Sequence, residues 1–437
     1  MSATSGTLSR AGTAPAGFNT TRWLVWGGYA LVLICAPMLF GSSLAITMLS
    51  QMGIGIVACL SFNILLGQGG MLSFGHAVYS GLASYVSIHA LNAIAHSGLG
   101  LPVSLIPLMG GFVGVFFAVI LGYVTTKKAG TTFAMITMGL GELVYSMSAM
   151  VPEFFGGEGG VSANRVVGKA VMGITFGPQI QVYYLIAIYT IVCTAAMYAF
   201  TRTPLGRMLN AVRDNPERVE FIGYNTQRVR YISFIIAGFF AGIAGGMYAL
   251  NFEIATAEVV SGARSAIYLF FTFLGGMTFF FGPIIGAVLM VLAFVLFSEF
   301  TKAWPLYLGL IFVFMVMFAP GGIASLIMMN VRVAAYGKLS RLLGWYAALT
   351  VTALIVLAGF AAMVEMLYFL QFSGGSGSTL NFVGLALDPW QASHWLGALA
   401  VLIVGVALFE VVRRRFAAQW SDVQTEIEAD IRRKEAA

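Results

Sequence analysis

Apolar residues in this chain come in long unbroken runs, not in the alternating or half-turn patterns of a soluble sheet or helix. The runs cover residues 23–41, 44–66, 72–95, 103–126, 131–151, 182–200, 229–251, 264–281, 283–299, 305–328, 344–371 and 393–412. A helix rises about 1.5 Å per residue and bilayer hydrocarbon is about 30 Å thick, so roughly 20 apolar residues make one crossing. Backbone groups in lipid must be satisfied within the segment, which leaves the helix as the form for continuous runs of this length. The pattern predicts an all-α polytopic membrane protein, a helical bundle of about 10–12 transmembrane helices. Glycine, proline and polar residues interrupt the runs at 67–75 and 264–283, where the chain either continues as packed helix or forms a broken or re-entrant segment.

Composition agrees. The 437 residues are 59% hydrophobic and 9% charged, with mean hydropathy +0.89, far from the roughly one-quarter charged residues of a soluble surface. The net charge of +6 arises in the connections and forms no basic stripe with interleaved aromatics, so nucleic acid is not a predicted partner. Basic residues cluster at Arg10 and Arg22, Lys127 and Lys128, 201–230, Arg332 with Lys338 and Arg341, and Arg413 to Arg415. With twelve crossings all of these fall on one side, which the positive-inside rule makes the cytoplasm. Both termini are then cytoplasmic.

Cys35, Cys59 and Cys193 lie inside apolar runs and read as small core residues. The sequence has no CxxC or HExxH, and His76, His89, His96 and His394 are scattered, so neither a metal site nor a catalytic set is predicted. Residues 1–20 are rich in Ser, Thr, Gly and Ala and read as a disordered cytoplasmic N-terminus. No small-residue cleavage site follows the first run, which is taken as a span and not a removed signal peptide. The outer loops 152–181 and 372–392 are glycine-rich and expected to be flexible, and the tail after Arg415 is expected to form a short or frayed amphipathic helix.

One segment breaks the apolar pattern. Residues 201–230, "TRTPLGRMLNAVRDNPERVEFIGYNTQRVR", carry Arg202, Arg207, Arg213, Arg218, Arg228 and Arg230 beside Asp214, Glu217 and Glu220. Thr203-Pro204 is a helix start, with a capping side chain followed by proline at the first helical position. Leu205, Met208, Leu209 and Val212 then share a face that leaves Arg207 and Arg213 off it. Pro216 opens a second short helix that Gly223 ends. A plain topology signal needs only a few Lys or Arg. Capped helices with a mixed-sign surface suit a docking element for a soluble partner better.

The residues from Thr203 to Ala249 resemble the cytoplasmic loop and following helix of permease subunits of branched-chain amino-acid ABC importers, the LivM type. In that family the loop resembles the permease motif EAA…G, whose short helix sits in a cleft of the ATP-binding subunit. Glu217 matches the acid and Gly223 the glycine, while Arg218-Val219 replace the small residues favoured there. Further blocks are similar in order: "GQGGMLSFGHAVYSGLASYV" (67–86), "TTFAMITMGLGELVYSM" (131–147), "FFGGEGGV" (154–161), "FLGGMTFFFGPIIGAVL" (273–289) and "FAPGGIASL" (318–326). The resemblance covers about 23–330. It implies a permease domain over 21–330 with a coupling segment at 201–230, followed by a 331–437 extension that holds two further spans and a cytoplasmic tail.

The resemblance implies that Arg207, Arg213, Asp214, Asn215, Glu217 and Gly223 couple to an ATPase subunit, which would carry the ATP and Mg; this chain itself has no nucleotide-binding loop. It also implies a second homologous permease or a copy of this chain, a periplasmic substrate-binding protein whose dock includes the 154–161 turn, and residence in a bacterial inner membrane. Gln68, Ser73, His76 and Glu142 are the candidate substrate-pathway groups. The glycines around 67–81 serve equally for helix packing or for a broken helix lining the path. His76 fits a satisfied core position as well as a substrate contact, and Glu142 fits a paired packing residue as well as a gating group. Phe279 to Phe281 are read as packing residues. The implied function is inward movement of branched-chain amino acids or related small polar solutes (other amino acids, amides or urea, small organic acids). The alternative is a passive channel or ion-coupled carrier for small neutral solutes, which would need more ionisable groups within the spans if ion-coupled. A membrane enzyme is excluded by the lack of paired carboxylates or a nucleophile arrangement.

Overall fold

The computed structural model describes residues 20–97, 101–167, 175–372, 380–382 and 385–436. The predicted disordered N-terminus lies outside the described residues, save for its last position. The order of elements is α1 (Thr20–Leu39), α2 (Ser43–Asn63), α3 (Ala77–Ser97), α4 (Ile106–Thr125), α5 (Gly130–Met150) and a short α6 (Pro152–Phe155). Then come β1 (Val161–Ser162), α7 (Gln179–Arg202), α8 (Pro204–Asp214), α9 (Pro216–Phe221), α10 (Thr226–Phe252) and β2 (Ile254–Ala255). The remainder is α11 (Gly262–Gly275), α12 (Gly282–Leu292), α13 (Ser298–Phe300), α14 (Trp304–Phe318), α15 (Gly322–Ala335), α16 (Leu339–Phe372), β3 (Leu380–Phe382), β4 (Leu385–Leu387) and α17 (Ala392–Ala436).

Among the described residues seven helices are long and apolar enough to cross a membrane, eight if the bent pair α14–α15 counts as one span. The expected 305–328 run is that pair, bent by 52° at Ala319-Pro320-Gly321, where proline cannot continue a helix. The run 264–281 is shorter than a full crossing, whereas the run 283–299 forms one continuous apolar helix over Gly282–Phe297. The 14 residues of α11 reach only about 21 Å, and its chain turns at Gly276, whose φ is +116°, into α12. The turn lies beside Gly67, whose Cβ position is 2.3 Å from Met277 O, and Phe280 of the turn packs against Tyr198 near the end of α7.

The core centres on α2 and α10, the two most enclosed spans, with α3, α4, α7, α11 and α12 around them. Contact between α4 and α10 is backbone against backbone. A Cβ on Gly114 would lie 2.1 Å from Gly238 O, and one on Gly242 would lie 2.2 Å from Gly110 O. Small residues are what permits such an approach where lipid supplies no hydrophobic drive between helices.

Side-chain and strand contacts sort the connections into two ends. At one end β1 pairs antiparallel with β2, Asn92 of α3 donates to Ser162 O at 3.0 Å, and the Arg165 amide donates to Glu253 Oε1 at 2.7 Å. The Arg165 guanidinium also donates to Phe176 O at 2.8 Å and Gly177 O at 3.1 Å. The 152–181 loop is thus tied down where it is described, contrary to its glycine content; residues 168–174 of it, like 373–379 and 383–384 of the 372–392 loop, lie outside the described residues. At the other end Lys127 shares a cleft with Glu220, Tyr224 and Arg230. Successive helices therefore run to alternate ends, as crossings must.

Beyond α15 the chain forms a long antiparallel pair, α16 and α17. The tail does not form a separate helix: α17 runs unbroken for 45 residues. No Gly or Pro stands between Val406 and Ala436 to end it, and Val423 and Ile427, one turn apart, are buried against Val333 and Leu342. Lys338 adds ion pairs to Glu426 at 2.9 Å and Asp430 at 3.2 Å.

Candidate functional site

The polar segment folds as three helices started by their own side chains. Thr203 Oγ1 accepts from the Gly206 amide at 3.2 Å, Asn215 Oδ1 from the Arg218 amide at 3.0 Å, and Asn225 Oδ1 from the Arg228 amide at 2.9 Å. Each satisfies one of the free amides of a helix start. Gly223, at φ +89°, makes the turn that an L side chain resists. Leu209, Val212 and Val219 are buried and fix the α8–α9 hairpin to the bundle.

The outward side of that hairpin is unusual for a loop. Phe221 is 88% exposed, Ile222 63% and Tyr224 51%, beside exposed Arg207, Glu217 and Arg218. Sequence reasoning singled out the charges and missed these apolar residues. The available signal was α9 itself: with Val219 on the inner face, Phe221 and Ile222 cannot both turn inward on so short a helix.

Of the coupling candidates, Arg207, Asp214, Asn215, Glu217 and Gly223 lie on this exposed side. Arg213 does not simply point outward. Its guanidinium donates to Gly67 O and pairs with Asp214 at 2.9 Å. One turn earlier Asn210 Nδ2 donates to Gln68 Oε1 at 2.9 Å. The hairpin is therefore bonded to the place where α2 ends.

That place is a break. After Asn63 the helix widens into a π turn, Ile64–Gln68, and residues 69–76 are irregular before α3 begins. Gly70, at φ +63°, turns the chain. Freed backbone groups are met by neighbours: the Phe74 amide donates to Thr137 Oγ1 at 3.2 Å and the Ala77 amide to Ser265 Oγ at 3.0 Å. Irregular backbone at membrane depth is tolerated where protein encloses it, and Met71, Ser73 and His76 are all buried.

The pathway candidates separate. His76 Nε2 bonds Ser61 Oγ at 2.9 Å, with the ring edge-on to Phe62. Its Nδ1 and the Ser73 hydroxyl have no hydrogen-bond partner among the described residues. Gln68 sits at the hairpin contact. Glu142 stands apart on the exposed face of α5 with Met138 and Leu143, near the start of α11, where a Cβ on Gly262 would come within 2.9 Å of its Oε1. Among the described residues, no group of three or more His, Cys, Asp or Glu could hold a metal ion.

Residues 44–320 match the family model described as branched-chain amino acid transport system / permease component. The chain is 27% identical to the high-affinity branched-chain amino acid transport system permease protein LivM of Salmonella typhimurium over 289 residues, 61% of this chain and 67% of that protein. It is 25% identical to the Escherichia coli protein of the same name over equal coverage. A nucleoside ABC transporter permease protein of Lactococcus lactis is 25% identical over 251 residues, 53% of this chain and 75% of that protein. No solved structure matches. With the multi-span fold and the match over more than half its length, the chain belongs to the family of ABC transporter permeases described as the branched-chain amino acid transport permease component.

Proposed function

We propose that this chain is the transmembrane permease subunit of an ABC importer in a bacterial inner membrane. It moves branched-chain amino acids or related small polar solutes inward by alternating access, driven by a separate ATPase subunit that binds ATP and Mg. The observation that carries the reading is the α8–α9 hairpin: capped, anchored by Leu209, Val212 and Val219, and presenting Phe221, Ile222 and Tyr224 among charges. Exposed aromatic and aliphatic side chains framed by Arg and Glu are the composition of an interaction patch. The bond from Arg213 to Gly67 gives a push on the hairpin a direct route to the broken span.

Glu142 supports a paired assembly. A carboxylate within a span does not face lipid cheaply, so its exposure on α5 marks contact with water or with another subunit. A second permease across α5, with a solvated path between, meets that need. The substrate class is broad, because this chain resembles both a permease named for branched-chain amino acids and one named for nucleosides. A periplasmic binding protein would dock at the end that holds Arg165 and the β1–β2 pair.

The test is co-purification. Phe221→Ser with Ile222→Ser should leave the permease inserted and monodisperse, yet reduce recovery of the ATPase subunit and ATP-driven leucine uptake in proteoliposomes by on the order of tenfold. Wild-type recovery and uptake in that variant would remove the docking assignment.

A further inference from the structure

We propose that the groove between α1, α7 and the α11–α12 turn is a binding site for an anionic phospholipid. The groove has a volume of about 640 Å³ and is independent of the hairpin's docking face. Its walls are apolar: Val25 and Trp26 of α1, Phe280 of the turn, and Ile285 of α12. Trp26 and Phe280 each pack edge-on against Tyr198, at 5.4 and 5.2 Å between ring centres. The few polar atoms within are paired, since Tyr29 and Thr194 hydrogen-bond each other at 3.3 Å.

One end differs. Arg202, the last residue of α7 and exposed, lies over the Tyr198 ring at 5.1 Å and donates to the Tyr198 hydroxyl at 2.8 Å. No carboxylate of the described residues forms an ion pair with it. An unneutralised guanidinium therefore closes an apolar groove that lies on the outside of a membrane-spanning bundle.

The bilayer supplies the occupant with matching chemistry. An acyl chain suits the aliphatic and aromatic walls, and a phosphodiester suits the guanidinium, with tyrosine and tryptophan at the interface level. Charge decides the headgroup. A zwitterionic lipid brings an ammonium toward Arg202, whereas an anionic one brings only negative charge to a cation that no described carboxylate neutralises. Arg202 immediately precedes Thr203, the cap of α8, so the lipid would brace the joint between a span and the hairpin.

Trp26 reports on the groove directly. The full-length chain is placed in vesicles doped with brominated phosphatidylglycerol or brominated phosphatidylcholine, and the Trp26 signal is taken as the difference from Trp26→Phe. We expect phosphatidylglycerol to quench that signal at about fivefold lower mole fraction, the worth of one basic residue near an anionic headgroup. Arg202→Gln should equalise the two lipids, Arg202→Lys should retain the preference, and Ile285→Trp should reduce quenching by both by filling the groove. Equal quenching of wild type by the two lipids, or a preference that survives in Arg202→Gln, overturns the proposal. So does failure of either lipid to reach Trp26, which would mean that protein covers the groove.

Discussion

Asn210 of α8 donates its side-chain amide to Gln68 Oε1, 2.9 Å away, at the end of the π turn that finishes α2. Arg213, on the same helix, donates to the carbonyl of the preceding Gly67. A π turn leaves carbonyls without their usual helical partner, and here the hairpin supplies donors to it. Displacement of α8 would therefore be felt by the enclosed central helix without passing through loops.

If that contact transmits motion, Asn210→Ala and Gln68→Ala should each lower uptake per ATP hydrolysed, with a stability loss of only about 1 kcal/mol. The double variant should be no worse than either single one, giving a coupling of about 1 kcal/mol in the cycle. Strictly additive effects would mark the contact as incidental. Arg213 is a poorer probe of docking than Glu217, because its loss also removes a bond inside the bundle.

Glu142→Gln keeps the size and removes the charge. The variant should unfold at the wild-type temperature, since Glu142 is exposed on α5, while uptake falls on the order of tenfold and basal ATP hydrolysis by the assembled complex persists. Unchanged uptake would take Glu142 off the solute path.

Two glycines separate packing from flexibility. Gly114→Val places a side chain where Gly238 O stands 2.1 Å from the Cβ position, and should destabilise the purified chain by about 2 kcal/mol or more. Gly139→Ala is the control: nothing lies within 4 Å of its Cβ position, and the melting temperature should hold or rise. Equal behaviour of the two variants would contradict the close approach of α4 and α10.

The tail should be held by its apolar residues more than by its charges. Ile427→Ser removes a buried side chain from the cluster with Val333 and Leu342 and should cost about 3 kcal/mol locally, seen as faster amide exchange over 416–436. Lys338→Ala should change exchange far less, because its carboxylate partners are exposed and ion pairs with such groups contribute little. The hydrogen bond to Glu426, with Asp430 beside it, holds the Lys338 pKa above the ordinary lysine value. Its contribution is present throughout neutral pH and is lost only as pH rises through that elevated value.

What could be read from the chain follows from the range of each signal. Thr203-Pro204 and Asn215-Pro216 announce their helices within a few residues, and the capped hairpin stands where they put it. Most spans likewise follow from apolar length. The α11–α12 turn is different, because apolar residues run straight through it; its tightness rests on tertiary contact, with a Cβ on Gly282 only 1.9 Å from Gly276 O. The partnership of Asn210 with Gln68 joins positions 142 residues apart and leaves no local trace. Phe221 and Ile222 were hidden for the opposite reason: in so apolar a chain two more hydrophobic residues attract no notice, and only their exposure gives them meaning.

The glycine seam between α4 and α10 limits how this molecule can change shape. Helices that touch main chain to main chain have no side chains between them to repack, so sliding one past the other would break contact along the whole seam. They must swing together as a single beam, and α10 starts directly after the hairpin. Any hinge is then to be sought where the packing is looser, at the bent joint around Pro320 or along the sparsely covered α5.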